Sequence, residues 1–264
     1  MPFPARGEYV KLGKGSLLID VYGADGLPSG KYDFVGNANQ IDLTSDITTA
    51  ELFSSTEKSG ALIDRRVLRS SYTLTATLNE QTLNNLALFL LGTKLTDNQA
   101  AAPGLTVNIA NVKRGGYYKL GKRSVSNVVV AVGSVILQAD VDYKVNTAFG
   151  VVQILDNALA VTIVDDDNLT IDFDAAQVNV QNIAIARESG KTCSLLFLAD
   201  DSNNDAKGAH DKLEIWRASI APDGALGLIG EDYAAFNLSF SILSDAENHP
   251  ADPFGTLDRA GASL

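Results

Sequence analysis

One stretch of the sequence comes close to a phosphate-binding motif. Residues 116–122 (GYYKLGK) have the spacing of a P-loop as far as its lysine. A P-loop continues with a Ser or Thr that holds Mg²⁺, and it runs from a strand into a helix. Here Arg123 follows the lysine, and residues 125–132 have a strand-like pattern. A basic, glycine-rich surface turn is therefore the better interpretation.

A second stretch, residues 201–205 (DSNND), begins like the calcium-binding loop of an EF-hand. Such a loop needs a glycine at its sixth position and a glutamate at its twelfth. The chain has Ala206 and Lys212 at those positions, so the motif is incomplete. The sequence does not predict an EF-hand.

The remaining groups that could do chemistry are scattered. Asp165–Asp167 with Asp172 and Asp174 could hold a loosely bound cation, but an acidic loop that solvates strand ends is favoured. His210 and His249 are the only histidines, and neither lies in a pattern typical of a metal ligand. No Gly-x-Ser-x-Gly nucleophile elbow occurs. The expectation is a protein that is not an enzyme, with no catalytic residue, metal site or cofactor.

The single cysteine and the lengths of the apolar segments indicate in which compartment the protein is made. Cys193 excludes a disulfide within the chain, and its apolar neighbours in 193–198 indicate a buried structural thiol. Residues 1–6 lack the apolar core of a signal peptide. The longest apolar stretch, 86–91, is too short for a membrane span. We expect a protein that is made in a cytoplasm and does not insert into a membrane.

The charge of the chain is acidic and uneven. Residues 1–139 hold 14 Lys and Arg against 11 Asp and Glu, whereas residues 140–264 hold 7 against 21. The net charge is −11, and a sequence-specific DNA binder needs clustered cations instead. A duplex would be repelled, which suits a protein that DNA must pass without stopping. Charged residues make up only 20% of the 264 residues, and the composition favours an all-β fold.

Two segments alternate strictly between apolar and small polar residues. Residues 72–78 (YTLTATL) and 236–242 (FNLSFSI) each predict a strand with one apolar face. The opposite face carries hydroxyl and amide groups without any charge, whereas a solvated sheet face commonly carries Lys and Glu. Such a face is typical of a surface past which something must slide, so a pore wall is one interpretation.

Other segments complete a mainly β prediction with one helix. The helix spans 80–91, with Asn79 as its N-cap, Gly92 at its C′ position and an apolar stripe that extends almost all round, so the helix should be largely buried. A connection of about twenty residues, 44–66, is predicted to be a long functional loop. The predicted strands outside the insert described below lie at 16–22, 32–43, 67–79, 105–112, 193–199, 213–220 and 233–243.

An inserted unit is predicted at 113–180, between 1–112 and 181–264. It contains short, valine-rich segments separated by turn residues, which indicate a small β-sandwich or barrel. These predicted strands lie at 125–132, 142–146, 151–155, 160–164 and 169–173.

The order of several segments resembles the major tail tube protein of long-tailed bacteriophages. No single motif is diagnostic, and the likeness lies in the succession along nearly the whole chain. The segments that carry it are 15–21, 34–39, the loop with 53–57 and Gly60, 73–78 running into 84–87 and 91–92, 141–145 with 150–154, and 220–224 with 230–233.

The resemblance implies a β-sandwich or barrel tail-tube fold with a flanking helix. In that family six copies form a ring, the rings stack into a tube, and strands from each copy line the bore. The partners would be the tape-measure protein, the tail terminator and the distal tail proteins. Double-stranded DNA would pass without specific binding, and the protein would reside in the virion.

Carried onto this chain, the resemblance assigns roles to three sets of residues. The lumen-facing set is Gln40, Asp42, Thr73, Thr75, Thr77, Asn237, Ser239 and Ser241. Their apolar neighbours Leu74, Leu78, Leu238, Phe240 and Ile242 would pack on the helix. The loop residues contacting an adjacent ring would be Leu52, Phe53, Lys58, Leu62, Arg65, Arg66 and Arg69. The insert would decorate the outer surface.

Two other functions remain open from the sequence. One is a tube subunit of a contractile injection or secretion device, which shares this kind of fold. The other is a carbohydrate-binding or cell-binding β-sandwich module, with the insert as the binder. A tube subunit should polymerise when concentrated, whereas a binding module should stay monomeric.

Overall fold

A computed structural model describes residues 13–56, 58–156, 167–200, 210–231 and 233–259. The protein is mainly β, with several antiparallel sheets and one short helix, as the sequence predicted. It divides into two compact units, one formed by the described parts of Met1–Lys94 and Ile183–Leu264 and the other by those of Leu95–Asn182. Within the described residues, no helix combines the length and hydropathy needed to cross a bilayer.

In the described part of the chain, a single helix lies between the fourth and fifth strands. They are β1 (Gly15–Val21), β2 (Asp33–Phe34), β3 (Ala38–Phe53), β4 (Leu62–Leu78), α1 (Leu83–Phe89), β5 (Thr93–Gln99), β6 (Ala102–Val112), β7 (Tyr117–Lys119), β8 (Val125–Val132), β9 (Val135–Ile136), β10 (Tyr143–Asn146), β11 (Val151–Ile154), β12 (Asp167–Ala175), β13 (Val178–Ala184), β14 (Lys191–Ala199), β15 (Lys212–Asp223), β16 (Phe236–Ile242) and β17 (Thr256–Asp258).

The first unit is built on one eight-stranded antiparallel sheet. Its order is β2-β1-β14-β15-β16-β4-β3, with β17 paired to β15 outside this path. Because the strands alternate, one face supplies nearly all of the core. That core takes residues from β1, β4, β14, β15 and β16, and α1 packs onto it against β15 and β16. Of the predicted apolar set, Leu74, Leu78, Leu238 and Phe240 are buried in this core, and Ile242 packs against it.

The helix begins later than the sequence predicted. Thr82 is the N-cap, and its Oγ1 accepts a hydrogen bond from the Asn85 backbone N–H at 3.2 Å. The prediction of Asn79 as the cap was wrong. The Asn79 amide instead bonds to the amides of Asn37 and Asn39, which tie the end of β4 to the start of β3.

The helix ends in a Schellman motif displaced by one residue from the prediction. Leu91, not Gly92, takes the left-handed conformation, with φ of 44°. The Gly92 N–H donates to the Ala87 carbonyl at 2.9 Å and the Leu91 N–H donates to Leu88 at 3.3 Å. Glycine is needed at 92 for a different reason, since a Cβ there would collide with the Ile183 side chain.

A substitution at Phe236 is expected to have a large effect on the first unit. Phe236 is 1% exposed and packs edge-to-face on Phe89, with ring centroids 5.5 Å apart. Phe236→Ala should lower the free energy of unfolding by about 3–5 kcal/mol, because a cavity replaces the ring. Urea denaturation followed by fluorescence of the single tryptophan, Trp216, measures this in the same unit. As the control, Phe34→Ala removes an exposed ring and should change the free energy of unfolding by less than about 0.5 kcal/mol. Similar losses at both positions would contradict the packing.

The predicted long loop at 44–66 is not a loop. Strands β3 and β4 pair along their whole length, from Ala38 with Leu78 to Phe53 with Leu62, with three shifts of register, and only 54–61 form the connection. The pairing with β16 covers β4 only from Thr73 to Leu78. Residues 45–71, here called the arm, therefore form a two-stranded hairpin beyond the rest of the sheet. At about 3.3 Å per residue, its nine residues from Ser45 to Phe53 reach roughly 30 Å.

The second unit contains a small β-sandwich. One sheet has the order β6-β12-β8-β9 and the other β10-β11-β7. Residues from both sheets form a separate apolar core that includes Val130, Val152, Leu169 and Ile171. Strands β5 and β13 pair with each other in a further sheet.

The insert begins earlier than the predicted residue 113. The second unit starts at Leu95, because β6 pairs with β12 from Ala102 to Val112 and so belongs to its sheet. At the other end it closes at Asn182, near the predicted 180. Four of the five predicted strands correspond to β8, β10, β11 and β12, and the fifth, at 160–164, lies outside the described residues.

Candidate functional site

The eight residues predicted to face a lumen lie on one face of the large sheet. The strand order β3-β4-β16-β15 places them in three rows that run across the strands. Side chains directly opposite each other in neighbouring strands are about 5 Å apart and share a face. The rows are Thr44–Thr73–Ser241–Ser219–Thr192, Asp42–Thr75–Ser239–Ala221 and Gln40–Thr77–Asn237–Asp223.

These thirteen residues are called the hydroxyl face. Its members alternate with the buried core residues of the same strands, such as Leu74, Ala76 and Leu238. None of the thirteen is buried, and Ser241, Gln40 and Asp42 are exposed. The face is therefore an open surface of the first unit, opposite to its core.

Five members of the hydroxyl face were missed by the sequence analysis. They are Thr44, Thr192, Ser219, Ala221 and Asp223. Ser219 stands between the buried Ala218 and Ile220, which is the same alternation seen in 72–78 and could have indicated it. Thr192 could not have been found, because only the register of β14 with β15 places it beside Ser219.

The hydroxyl face carries no lysine or arginine. Its two charged members are acidic, Asp42 and Asp223, and the Asp42 carboxylate accepts a hydrogen bond from Gln40 Nε2 at 2.5 Å. The next residue of β15 with the same orientation, Arg217, lies near Asp245, whose pKa it helps to lower. The thirteen residues thus offer hydroxyls and a weak negative charge, and the cation next to them on β15, Arg217, lies beside a carboxylate.

The arm exposes an unusual amount of apolar surface. Seven large apolar side chains are between 49% and 67% exposed, on both faces of a two-stranded ribbon. Within the described residues, no third strand pairs with it. An isolated hairpin is marginally stable in water, and exposed apolar surface of this kind marks an interaction site. These side chains are Ile47, Leu52, Phe53, Leu62, Ile63, Val67 and Leu68.

The predicted inter-ring residues all belong to the arm, but two of its three arginines already have acidic neighbours there. Arg66 Nε lies 2.8 Å from Asp64 Oδ2, and Arg65 Nε lies 3.5 Å from Glu51 Oε1. Arg69 faces Thr48 across the hairpin. Exposed pairs of this kind contribute little to stability, so the apolar side chains are the stronger basis for a contact.

A cleft of about 690 Å³ in the first unit brings together His249, Asp245 and Trp216. The His249 ring stacks on Trp216, with centroids 4.0 Å apart, and its Nδ1 lies 2.8 Å from Asp245 Oδ2. The hydrogen bond from His249 is the main cause that lowers the pKa of Asp245. Ser194 lines the same cleft, but its hydroxyl donates to the Tyr32 hydroxyl at 3.2 Å. The contacts describe a packed corner of the fold and not a Ser–His–Asp relay.

The motif-like stretches take ordinary structural roles. Residues 117–119 form β7, and the following strand is β8, so the P-loop spacing does not lead into a helix. Asp174 accepts hydrogen bonds from Asn127 and from the Gly104 N–H, which lower its pKa. The residues 201–205 lie outside the described part of the chain.

The described residues form neither a metal-binding cluster nor a reactive thiol. Among the residues that the structure describes, no three His, Cys, Asp or Glu side chains are placed to hold a metal ion. Cys193 is fully buried, and this burial raises the pKa of its thiol, so the group is an inert part of the core, as predicted.

Comparison with known proteins assigns the chain to a family without transferring a function. No curated protein matches it. The family model described as "Protein of unknown function UCP028589" matches residues 10–258, and the chain belongs to that family.

Proposed function

We propose that the chain is a structural subunit of a phage tail tube, in which copies form rings that stack around a shared bore. The observation that carries the proposal is the hydroxyl face, where one continuous sheet surface gathers all eight residues predicted for the lumen. The resemblance stated for the sequence supplies the tube architecture, with six copies in each ring.

The chemistry of the hydroxyl face suits passage of DNA. Hydroxyl and amide groups keep a wall hydrated, and the absence of Lys and Arg leaves no counter-charge for phosphates. The exposed carboxylates of Asp42 and Asp223 add repulsion between the wall and a polyanion. A duplex in such a bore would be held near the axis without specific binding.

The unpaired edge of the large sheet favours self-assembly. β3 is an edge strand of sixteen residues, and among the described strands it pairs only with β4. A long open edge invites pairing with another chain unless it is covered. Pairing between copies at this edge would close the sheets into a ring and would continue the hydroxyl face from copy to copy.

The arm supplies the contact along the tube axis. Its exposed apolar side chains would be buried against a neighbouring ring, and its reach of roughly 30 Å is long enough to span a subunit boundary. Each apolar side chain that becomes fully buried contributes about 1.5–3 kcal/mol, so a few suffice to hold rings together.

Electron microscopy of purified protein tests the proposal. The chain is concentrated stepwise, and each step is examined by negative stain and by sedimentation velocity. We expect monomers or single rings at low concentration and hollow rods above a threshold concentration. A particle that stays monomeric at every concentration up to the solubility limit would refute the proposal.

A further inference from the structure

The second unit has an open, aromatic surface that no part of the proposed tube function uses. The face of the sheet β10-β11-β7 that points away from its core lines a cleft of about 590 Å³. Register places Lys144, Gln153 and Tyr117 side by side across the three strands. Asn146, Val151 and Lys119 form the next row on the same face. These six residues together with Phe149 are called the shelf.

Two aromatic rings stand exposed on the shelf. Tyr117 is 68% exposed and Phe149 is 59% exposed. The adjacent Tyr118 shows the contrast, because it packs against the core of the unit and its hydroxyl donates to the Lys113 carbonyl at 3.2 Å. Tyr117 therefore does not pack against the core as Tyr118 does.

The turn that carries Phe149 is held in place. The Phe149 N–H donates to Asn146 Oδ1 at 3.3 Å, and the Leu120 N–H donates to the Gly150 carbonyl at 2.8 Å. Gly150 has φ of 61° and lies so close to the Lys122 carbonyl that any Cβ would collide with it. The backbone that carries the Phe149 ring is thus held by these contacts, which reduces the entropy lost on binding.

The shelf is cationic on a chain with a net charge of −11. Lys144 lines the cleft, Lys119 is exposed on the same face of the sheet next to it, and the Arg123 guanidinium lies 5.6 Å from the centre of the Phe149 ring. Among the described residues, no Asp or Glu lines the cleft. The local charge is therefore complementary to an anion.

The side chains on the shelf match the groups of a sugar acid. The negative face of an aromatic ring attracts the polarised C–H groups on the flat side of a pyranose. The amides of Gln153 and Asn146 can donate to and accept from hydroxyls, and lysine ammonium groups bind carboxylates. The cleft volume also falls within the roughly 300–1,000 Å³ typical of small-molecule sites.

We propose that the shelf binds a short segment of an acidic polysaccharide whose pyranose rings carry carboxylates. A nucleic acid fits less well. It carries a phosphate on every residue and would meet the acidic remainder of the chain, whereas the shelf offers only two strand lysines and the neighbouring arginine. The proposal is independent of the tube function, since a monomer would present the same shelf.

Isothermal titration of the full-length chain tests this proposal. The probes are tri-galacturonate, a hyaluronan tetrasaccharide and tri-sialic acid, with maltotriose as the neutral probe and a single-stranded deoxynucleotide as the competing polyanion. We expect binding to at least one acidic oligosaccharide, weakened by added salt. Absence of binding to all three acidic probes at millimolar concentration would overturn the proposal, as would equal binding of the deoxynucleotide.

Substitutions assign the binding to the shelf. Tyr117→Ala should weaken binding by about tenfold or more, which corresponds to about 1.4 kcal/mol. Lys144→Gln should weaken binding of the acidic probe but leave any binding of maltotriose unchanged. Phe34→Ala and Lys14→Gln, at exposed positions of the first unit, are the matched controls and should have no effect. Circular dichroism confirms that each variant is folded, and unchanged binding in Tyr117→Ala would overturn the assignment.

Discussion

A chain with a shortened arm is expected to fold but to remain unassembled at concentrations at which we expect the full chain to polymerise. The variant removes Ile47–Ser70 and joins Asp46 to Ser71 through an Asn-Gly turn. Those two residues face each other in the hairpin, so the cut leaves no strand without its partner. The core of the first unit contains no residue from the deleted segment, so its stability should be retained.

The size of this effect follows from the apolar surface of the arm. Losing the burial of only two large side chains costs about 3–6 kcal/mol of association free energy. The threshold for polymerisation should therefore rise by at least about a hundredfold. Sedimentation velocity measures the threshold. Tubes that form at the original threshold would show that the arm makes no essential contact.

A milder double substitution tests whether the apolar side chains of the arm, and not only its presence, are needed for assembly. Phe53→Ser with Ile63→Ser changes two side chains that are more than half exposed, so folding should be unaffected. The threshold should rise in the same direction as for the shortened arm. Thr48→Ser, which alters the arm without removing a large apolar group, is the matched control.

A lysine on the hydroxyl face is expected to make assembled tubes retain DNA. Ser239 is the best position, because its cross-strand neighbours Thr75 and Ala221 carry no charge, whereas a lysine at 75 would lie beside Asp42. In the proposed bore, Ser239→Lys would add one cation from every copy in every ring. Duplex binding to tubes should rise by at least about tenfold at low salt and fall again as salt is added.

The control for this prediction is Ser239→Glu, which has similar bulk and the opposite charge. Tubes of both variants should form at the threshold of the unchanged chain, since in the proposed tube residue 239 lies on the bore and not on a contact. Filter binding of a short labelled duplex measures retention. Equal retention by the Lys and Glu variants would mean that residue 239 does not face the path of DNA.

The sequence predicted those elements whose two faces differ in environment. Residues 72–78 and 236–242 alternate because one side of each strand is buried in the core and the other is open. Because of the same difference, the predicted polar members of the hydroxyl face could be recognised from the sequence. Their arrangement in rows depends on strand register, which follows from pairing over long separations in the chain and is not written in any one segment.

The arm escaped the sequence analysis for a physical reason. Residues 45–53 read as Ser-Asp-Ile-Thr-Thr-Ala-Glu-Leu-Phe, with no apolar alternation, because neither face of the hairpin is buried in the first unit. Alternation of apolar and polar residues arises where one side of a strand is buried. A strand that is exposed on both sides therefore shows no such alternation. The length of the segment led to the prediction of a functional loop, and the structure shows a paired hairpin in its place.

The helix boundaries were missed because several residues compete for the same role. Asn79 and Thr82 are both good N-caps, and the bonds of Asn79 to the start of β3 leave Thr82 as the cap. Gly92 was predicted at the left-handed position, but Leu91 occupies it while the close approach of Ile183 requires glycine at 92. Both outcomes depend on segments distant in the sequence.

The most direct test of the central claim is a reconstruction by cryo-electron microscopy of the polymer that the concentrated protein forms. We predict a tube in which Thr75 and Ser239 of every copy line the bore, with the hydroxyl face continuous from one copy to the next. A polymer that has these side chains on its outer surface, or a preparation that forms no polymer, would contradict the account.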